Sequence, residues 1–321
     1  MRKLSLATAL IAALVLLGAC GKNDDAATAD PAVAAHKRAY DKEIMDWRNE
    51  RVQRLQKPDG WLSLVGMHWI DVGTTRVGSN PKFSTRLAVG PSLIGMLTLT
   101  KEGKTTLVPE PGAEILIDGQ PATGAVNLVN DVDAGNDGSP TVVGFNKGDA
   151  SFIVIKRGDK FALRVRNAMA QTRINFAGID YFPIDESFRF KAKFTPHEPG
   201  KKIDIVNILS QVEPMDNPGT VTFEKDGKSF TLEAVDEGDH RLFLIYADRT
   251  SGHESYAAAR FTYADYPGAD GTTIVDFNKG YNPPCAFTPF STCPMPPLQN
   301  RLDLAINAGE KKPRKPGSVA L

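Results

Sequence analysis

Hydrophobic positions recur along this chain with two different periods, and the change falls at Gly60. From Ala34 to Gln56 the spacing is helical: Tyr40, Ile44, Trp47 and Leu55 share a stripe with Arg51 in its gap, and charged residues cover the other faces. Glu50 and Arg54 stand in favourable i,i+4 order. Asp30-Pro31 has the form of a helix start, an acidic cap before proline, and Lys57-Pro58-Asp59-Gly60 is a stop. One amphipathic helix is therefore predicted over residues 36–57, docked by its apolar stripe.

After Gly60 the period falls to two. Short β-rich runs are predicted at 62–70, 75–78, 87–89, 95–99, 105–108, 114–117, 125–128, 151–156 and 160–165. A second series follows at 188–194, 202–211, 220–225, 228–234, 241–247, 258–263, 272–277 and 302–308. Turn signals such as Gly78-Ser79-Asn80-Pro81 and Arg157-Gly158-Asp159 separate them. The pattern predicts a mainly β chain of two antiparallel sandwich- or barrel-like modules, residues 58–167 and 168–312, behind the single helix. The last residues, 313–321, read as a frayed basic tail.

Asp276 to Pro297 breaks the alternation. It holds six prolines and two of the three cysteines, so it can be neither helix nor central strand and reads as a rigid loop held by its neighbours. Around it gather Arg260, Asp276, Asn278, Tyr281, Asn282, Asn300, Arg301 and Glu310. Buried charges and amides are costly unless paired, so a polar cluster of this size is either a structural network or a site. Asp276 and Asn278 leave one face at a strand end, and Arg260 or Arg301 are the cationic partners expected for them.

At the N-terminus, Leu4 to Leu17 is apolar behind Arg2 and Lys3 but shorter than the roughly 20 residues of a membrane-spanning helix, so residues 1–19 read as a targeting segment. Leu17-Gly18-Ala19-Cys20 resembles the lipobox of bacterial lipoproteins. That resemblance implies a palmitate-type lipid on Cys20 as the mature N-terminus, a tether over residues 20–35, and, with Gly21 next, an outer-membrane location facing the periplasm. An ordinary signal peptide with an incidental cysteine is the alternative. In an oxidising compartment the remaining pair, Cys285 and Cys293, is expected to form a disulfide.

The chain carries 38 basic and 38 acidic residues. Such a balance offers no footing for nucleic acid, and the membrane is expected to be met through Cys20 alone. Familiar chemical motifs are missing: no Gly-x-Ser-x-Gly, His-Glu-x-x-His, phosphate loop or Cys-x-x-Cys. Asp131, Asp133 and Asp137 read as a solvated acidic turn rather than half a calcium loop. No cofactor or metal is expected. His68 and His253 are the histidines within motifs, the first reading as structural and the second as an exposed turn residue. Arg164 and Arg166 share a face with Ala162 and could grip a carboxylate or phosphate, although such a row also occurs as a solvated face.

Gly60-Trp-Leu-Ser-Leu-Val-Gly66 with His68-Trp69, Asp248-Arg-Thr-Ser-Gly252 with Tyr256, Arg260-Phe261, Asp276-Phe277-Asn278, Tyr281-Asn-Pro-Pro-Cys-Ala-Phe287, Thr292-Cys-Pro294, Asn300-Arg301-Leu302 and Ala308-Gly-Glu310 together resemble the family named domain of unknown function 1684 (DUF1684). The likeness extends from about Tyr40 to Lys311, and that family brings no activity with it. Its Arg-Ala before the tyrosine is Lys279-Gly280 here, which leaves positive charge as the shared property of position 279. The first module is also similar in motif order to forkhead-associated domains. Ser79 replaces their arginine and their Ser-x-x-His has no counterpart, so phosphothreonine binding does not carry over.

Two functions remain open. One is a lipid-anchored ligand- or partner-binding scaffold of the cell envelope, its partner an envelope protein or a small molecule. The other is an envelope hydrolase or transferase using Asp276 or Glu310, with His68 and His253 as lesser catalytic candidates, and Arg260 or Arg301 stabilising charge. A concave pocket holding Asp276, Tyr281 and an arginine would favour the enzyme, and full pairing beneath aromatics would favour the scaffold.

Overall fold

The computed structural model describes residues 30–135 and 138–314; the targeting segment, Cys20, Asp137 and the tail from residue 315 lie outside them. The helix runs Pro31–Leu55, opened by Ala32 N–H donating to Asp30 Oδ1 at 2.9 Å. Residues 31–35, expected in the tether, are its first turns. The described residues through Tyr40 and those from Asp41 on are two compact units. Within the second, Ile44, Arg51 and Leu55 are buried at the i, i+7, i+11 spacing of one helical face.

Two sheets follow, facing one another. A six-stranded sheet has the order Leu64–Ile70, Lys160–Asn167, Ala150–Arg157, Val143–Phe145, Leu116–Ile117, Gln120–Pro121. A five-stranded sheet has the order Thr85–Arg86, Gly73–Gly78, Gly95–Leu99, Thr105–Pro109, Val126–Leu128, antiparallel except for its first pair. Val77, Leu97 and Leu107 meet Phe152, Leu163 and Val165 between them. Because side chains alternate, Ala162 and Arg164 point out of this sandwich, on the side where Ile153 and Ile155 lie.

The third sheet runs Arg260–Asp265, Arg241–Tyr246, Lys228–Asp236, Val212–Lys225, Arg189–Pro196, Thr272–Asp276, with Lys202–Val206 also on Val212–Lys225. Its ends return to each other: Thr262 Oγ1 donates to Asp276 O at 3.3 Å and Thr273 Oγ1 to Asp265 O at 2.7 Å, so the sheet is nearly a closed barrel. Phe277 sits at 0% exposure inside, edge-on to Phe190, Phe223 and Tyr246 at centroid distances of 5.9, 5.4 and 5.0 Å.

Three expected strands differ, each for a local reason. Residues 302–308 are irregular: Leu302, Ile306 and Ala308 plug the barrel, giving the alternation of a strand, but the Ile306 and Ala308 carbonyls accept from Arg260 instead of a ladder. The run from Lys202 stops at Val206, since Asn207 Oδ1 accepts from Leu209 N and Gln211 N and turns the chain. Residues 87–89 do not pair, and the short strand falls at Thr85–Arg86. Conversely, Val212–Lys225 extends back through Pro214 and Pro218, with a bulge between Asp216 and Gly219.

Phe277→Ala should cost about 3–5 kcal/mol, the range for emptying an aromatic from a closed core. Urea denaturation of the purified chain measures it, and a loss below 1 kcal/mol, by order of magnitude, would contradict this packing.

Candidate functional site

Two polar assemblies flank the Pro-rich loop. The inner one is a network of struts. Arg260, 1% exposed, donates from Nη2 to Asp248 Oδ2 at 2.6 Å and to Ile306 O at 2.8 Å, and from Nη1 to Ala308 O at 2.5 Å. Glu310, fully buried, accepts from Arg51 Nε at 2.9 Å through one oxygen and from Asn282 N–H at 2.7 Å through the other. Burial pushes the Glu310 carboxyl above its ordinary range, and Arg51 and the Asn282 N–H pull it back. Gly309, at φ 78°, lets this turn pass so close to Gly280 O and Phe277 O that a Cβ would clash with both.

The outer assembly is a cleft of about 1310 Å³. Its walls come from the helix (Trp47, Arg51), the outer face of the six-stranded sheet (Arg157, Arg164), the barrel's outer face (Phe243, Tyr263) and the loop from Tyr281 through Ser291 to Pro294. The Tyr281 ring carries the Arg51 guanidinium 4.7 Å from its centroid and faces Tyr263 at 6.4 Å. Burial raises the Tyr281 phenol to about 12, so it stays protonated at neutral pH. Cys293 borders the cleft as a thiol pushed down to about 7, first by its contact with the Cys285 thiol, then by Ser291, the Cys285 N–H at 3.0 Å and Arg164. That same contact, and then burial, raises Cys285 instead.

Residues 174–311 match the model of the family described as protein of unknown function DUF1684. Through this region the chain belongs to the DUF1684 family. The match covers the barrel and loop, whereas the Gly60–Gly66 and His68-Trp69 motifs lie outside it. Among solved structures, an uncharacterized protein of Haloarcula marismortui, determined by solution NMR, is 31% identical over 43% of this chain and 78% of its own, with a TM-score of 0.37. No curated protein matches.

Within the DUF1684 region the expected residues do not form one site. Asp276 pairs with neither Arg260 nor Arg301. Its Oδ1 accepts from Asn278 N and Nδ2 at 2.9 and 3.1 Å, and its Oδ2 lies 3.8 Å from Arg189 Nε, the residue opposite it in the sheet register. Asn278 in turn spans the Asp185 backbone, donating to its oxygen and accepting from its N–H. Asn300 latches Glu233 and Ile245 by three bonds, Asn282 donates from Nδ2 to Lys311 O at 2.7 Å, and Arg301 is exposed. Cys285 and Cys293 are free thiols and not the expected disulfide; hydrogen bonds around Cys293 Sγ hold the loop ends together without a covalent link.

His68 and His253 are both away from the cleft. Burial lowers the His68 imidazole, and its Nε2 is sealed without a partner; His253 is exposed in the turn after Thr250. Ser251 Oγ accepts from Asp248 N in the same turn. Asp131 is engaged with Arg157 at 2.8 Å and Lys156 N at 2.9 Å. The cleft arginine Arg164 was legible as one of a same-face row, but the strand pattern offers no sign of what faces it.

Glu310→Ala should cost about 3–5 kcal/mol, because it strands the buried Arg51 guanidinium. Asp276→Ala should cost only about 1 kcal/mol, the worth of a short-helix cap beside a half-open arginine. Chemical denaturation of the two variants side by side tests the ordering, and equal losses would refute it.

Proposed function

We propose that the protein binds a small molecule in this cleft, and that the buried motif residues are struts that hold the wall. The observation that carries this reading is the division of the loop itself. Asn282, with Arg51 and Glu310, is committed inward, while Tyr281, Pro284 and Ser291 to Pro294 face the open cleft. A rigid loop is costly to order, and here its ordering shapes a concavity with aromatic walls, the general form of a small-molecule site. N-phenyl-1-naphthylamine, a neutral apolar dye, should bind saturably at one per chain, and Trp47→Ala should weaken it about tenfold, roughly 1.4 kcal/mol. Fluorescence titration reads both, and the absence of saturable binding would count against the cleft as a ligand site.

A second reading, acid–base chemistry by Asp276, has one observation in its favour: Asp276 and Tyr281 border the same cleft as Arg51 and Arg189. It is weakened by the commitments of the Asp276 oxygens and by the sealing of Glu310 and Arg260, which leaves the expected partner groups out of reach of a substrate.

The body is proposed to be held at the outer membrane, facing the periplasm, by lipid on Cys20, a reading supported by the Leu17 to Cys20 junction. Cys20→Ser should release the protein from the membrane fraction on cell fractionation. An unchanged membrane-bound fraction would refute the anchor.

A further inference from the structure

We propose that the ligand carries an acidic head group, a carboxylate, sulfonate or phosphate, and that Arg164 is its anchor. This rests on the cleft reading above and adds the chemistry of the ligand. Arg164 is 5% exposed and borders the cleft, yet its side chain makes no hydrogen bond and no ion pair among the described residues, and its Nε is sealed without a partner. Its guanidinium lies 5.3 Å over the Trp61 ring, a contact that supplies no acceptor oxygen.

The other cationic side chains of the cleft set it apart. Among the described residues, Arg51 pairs with Glu310, Arg54 with Glu50, Arg157 with Asp131, Arg189 with Asp276, Arg241 with Asp239 and Lys279 with Glu43. Asp131 and the Cys293 thiol, the acidic groups whose fields reach Arg164, are already engaged, Asp131 by Arg157 and Lys156 N–H and Cys293 by the Cys285 N–H and Ser291, while Arg157 and Arg166 add repulsion. Burial accordingly drives Arg164 down to about 10, the mark of a cation short of acceptors. A buried charge without a partner destabilises the protein, and an oxyanion presenting two oxygens side by side would supply the fork of acceptors that guanidinium geometry fits. The aromatic walls leave the rest of such a ligand an apolar or ring-bearing body.

Two dyes with the same rings separate this inference from the reading it rests on. 1-Anilinonaphthalene-8-sulfonate carries the acid, and N-phenyl-1-naphthylamine does not. Arg164→Met in the full chain should weaken the sulfonate dye at least about tenfold, leave the neutral dye within about twofold, and melt no lower than the parent in the absence of dye, since it removes an unpaired buried charge. Arg164→Lys, which keeps a cation without the fork, should fall between. Unchanged affinity for the sulfonate dye in Arg164→Met, or a lowered melting temperature marking Arg164 as a strut, would overturn the anchor while the cleft reading stands. If neither dye binds the parent protein, both readings fail together.

Discussion

A guanidinium group sealed from water needs acceptors for its donors, and the two terminal nitrogens of Arg260 find them in two segments, at Asp248 and at residues 306–308. Asp248 supplies the countercharge, while Ile306 and Ala308 supply carbonyls that would otherwise be orphaned in an irregular stretch. That single side chain lets residues 302–310 run through the core without belonging to a sheet. Everything downstream depends on it: the turn at Gly309, the position of Glu310 against Asn282, and so the direction in which Tyr281 and the prolines face.

Arg164 and Arg260 make an instructive contrast. Both are large cations almost wholly removed from solvent. The terminal nitrogens of Arg260 meet fixed acceptors and contribute architecture, although its Nε has none; the Arg164 side chain makes no hydrogen bond, lies over an aromatic face and is repelled by Arg157 and Arg166. Stability alone would favour an apolar residue at the second position. Its presence beside open space is therefore the kind of local cost associated with sites that complete themselves by binding.

Much of the architecture was readable from the residues because period and turn chemistry are local. The helix start at Asp30-Pro31, the all-β character after Gly60 and the cluster around Asp276–Pro297 all rest on such signals. Partner choice was not readable. Asp276 and Arg189 face each other because Arg189–Pro196 and Thr272–Asp276 happen to be neighbours in the sheet, a fact of topology that alternation cannot encode. The 302–308 stretch misled for the opposite reason, since plugging a barrel demands the same alternation as pairing within one. The cleft was invisible because its walls come from segments more than 200 residues apart, and Arg164 gains its meaning only from what fails to pair with it.

The Arg51–Glu310 bond joins side chains separated by 259 positions. A chain emerging from its N-terminus must hold the helix waiting, with its arginine still hydrated, until nearly the whole sequence is available. The loop wall cannot lock before then, and the closure is a long-range event with a correspondingly large entropic barrier. The cleft wall is thus set by a contact of very long sequence separation, and a truncation short of residue 310 would strip Arg51 of its carboxylate and, if it fell before residue 302, the barrel of its plug.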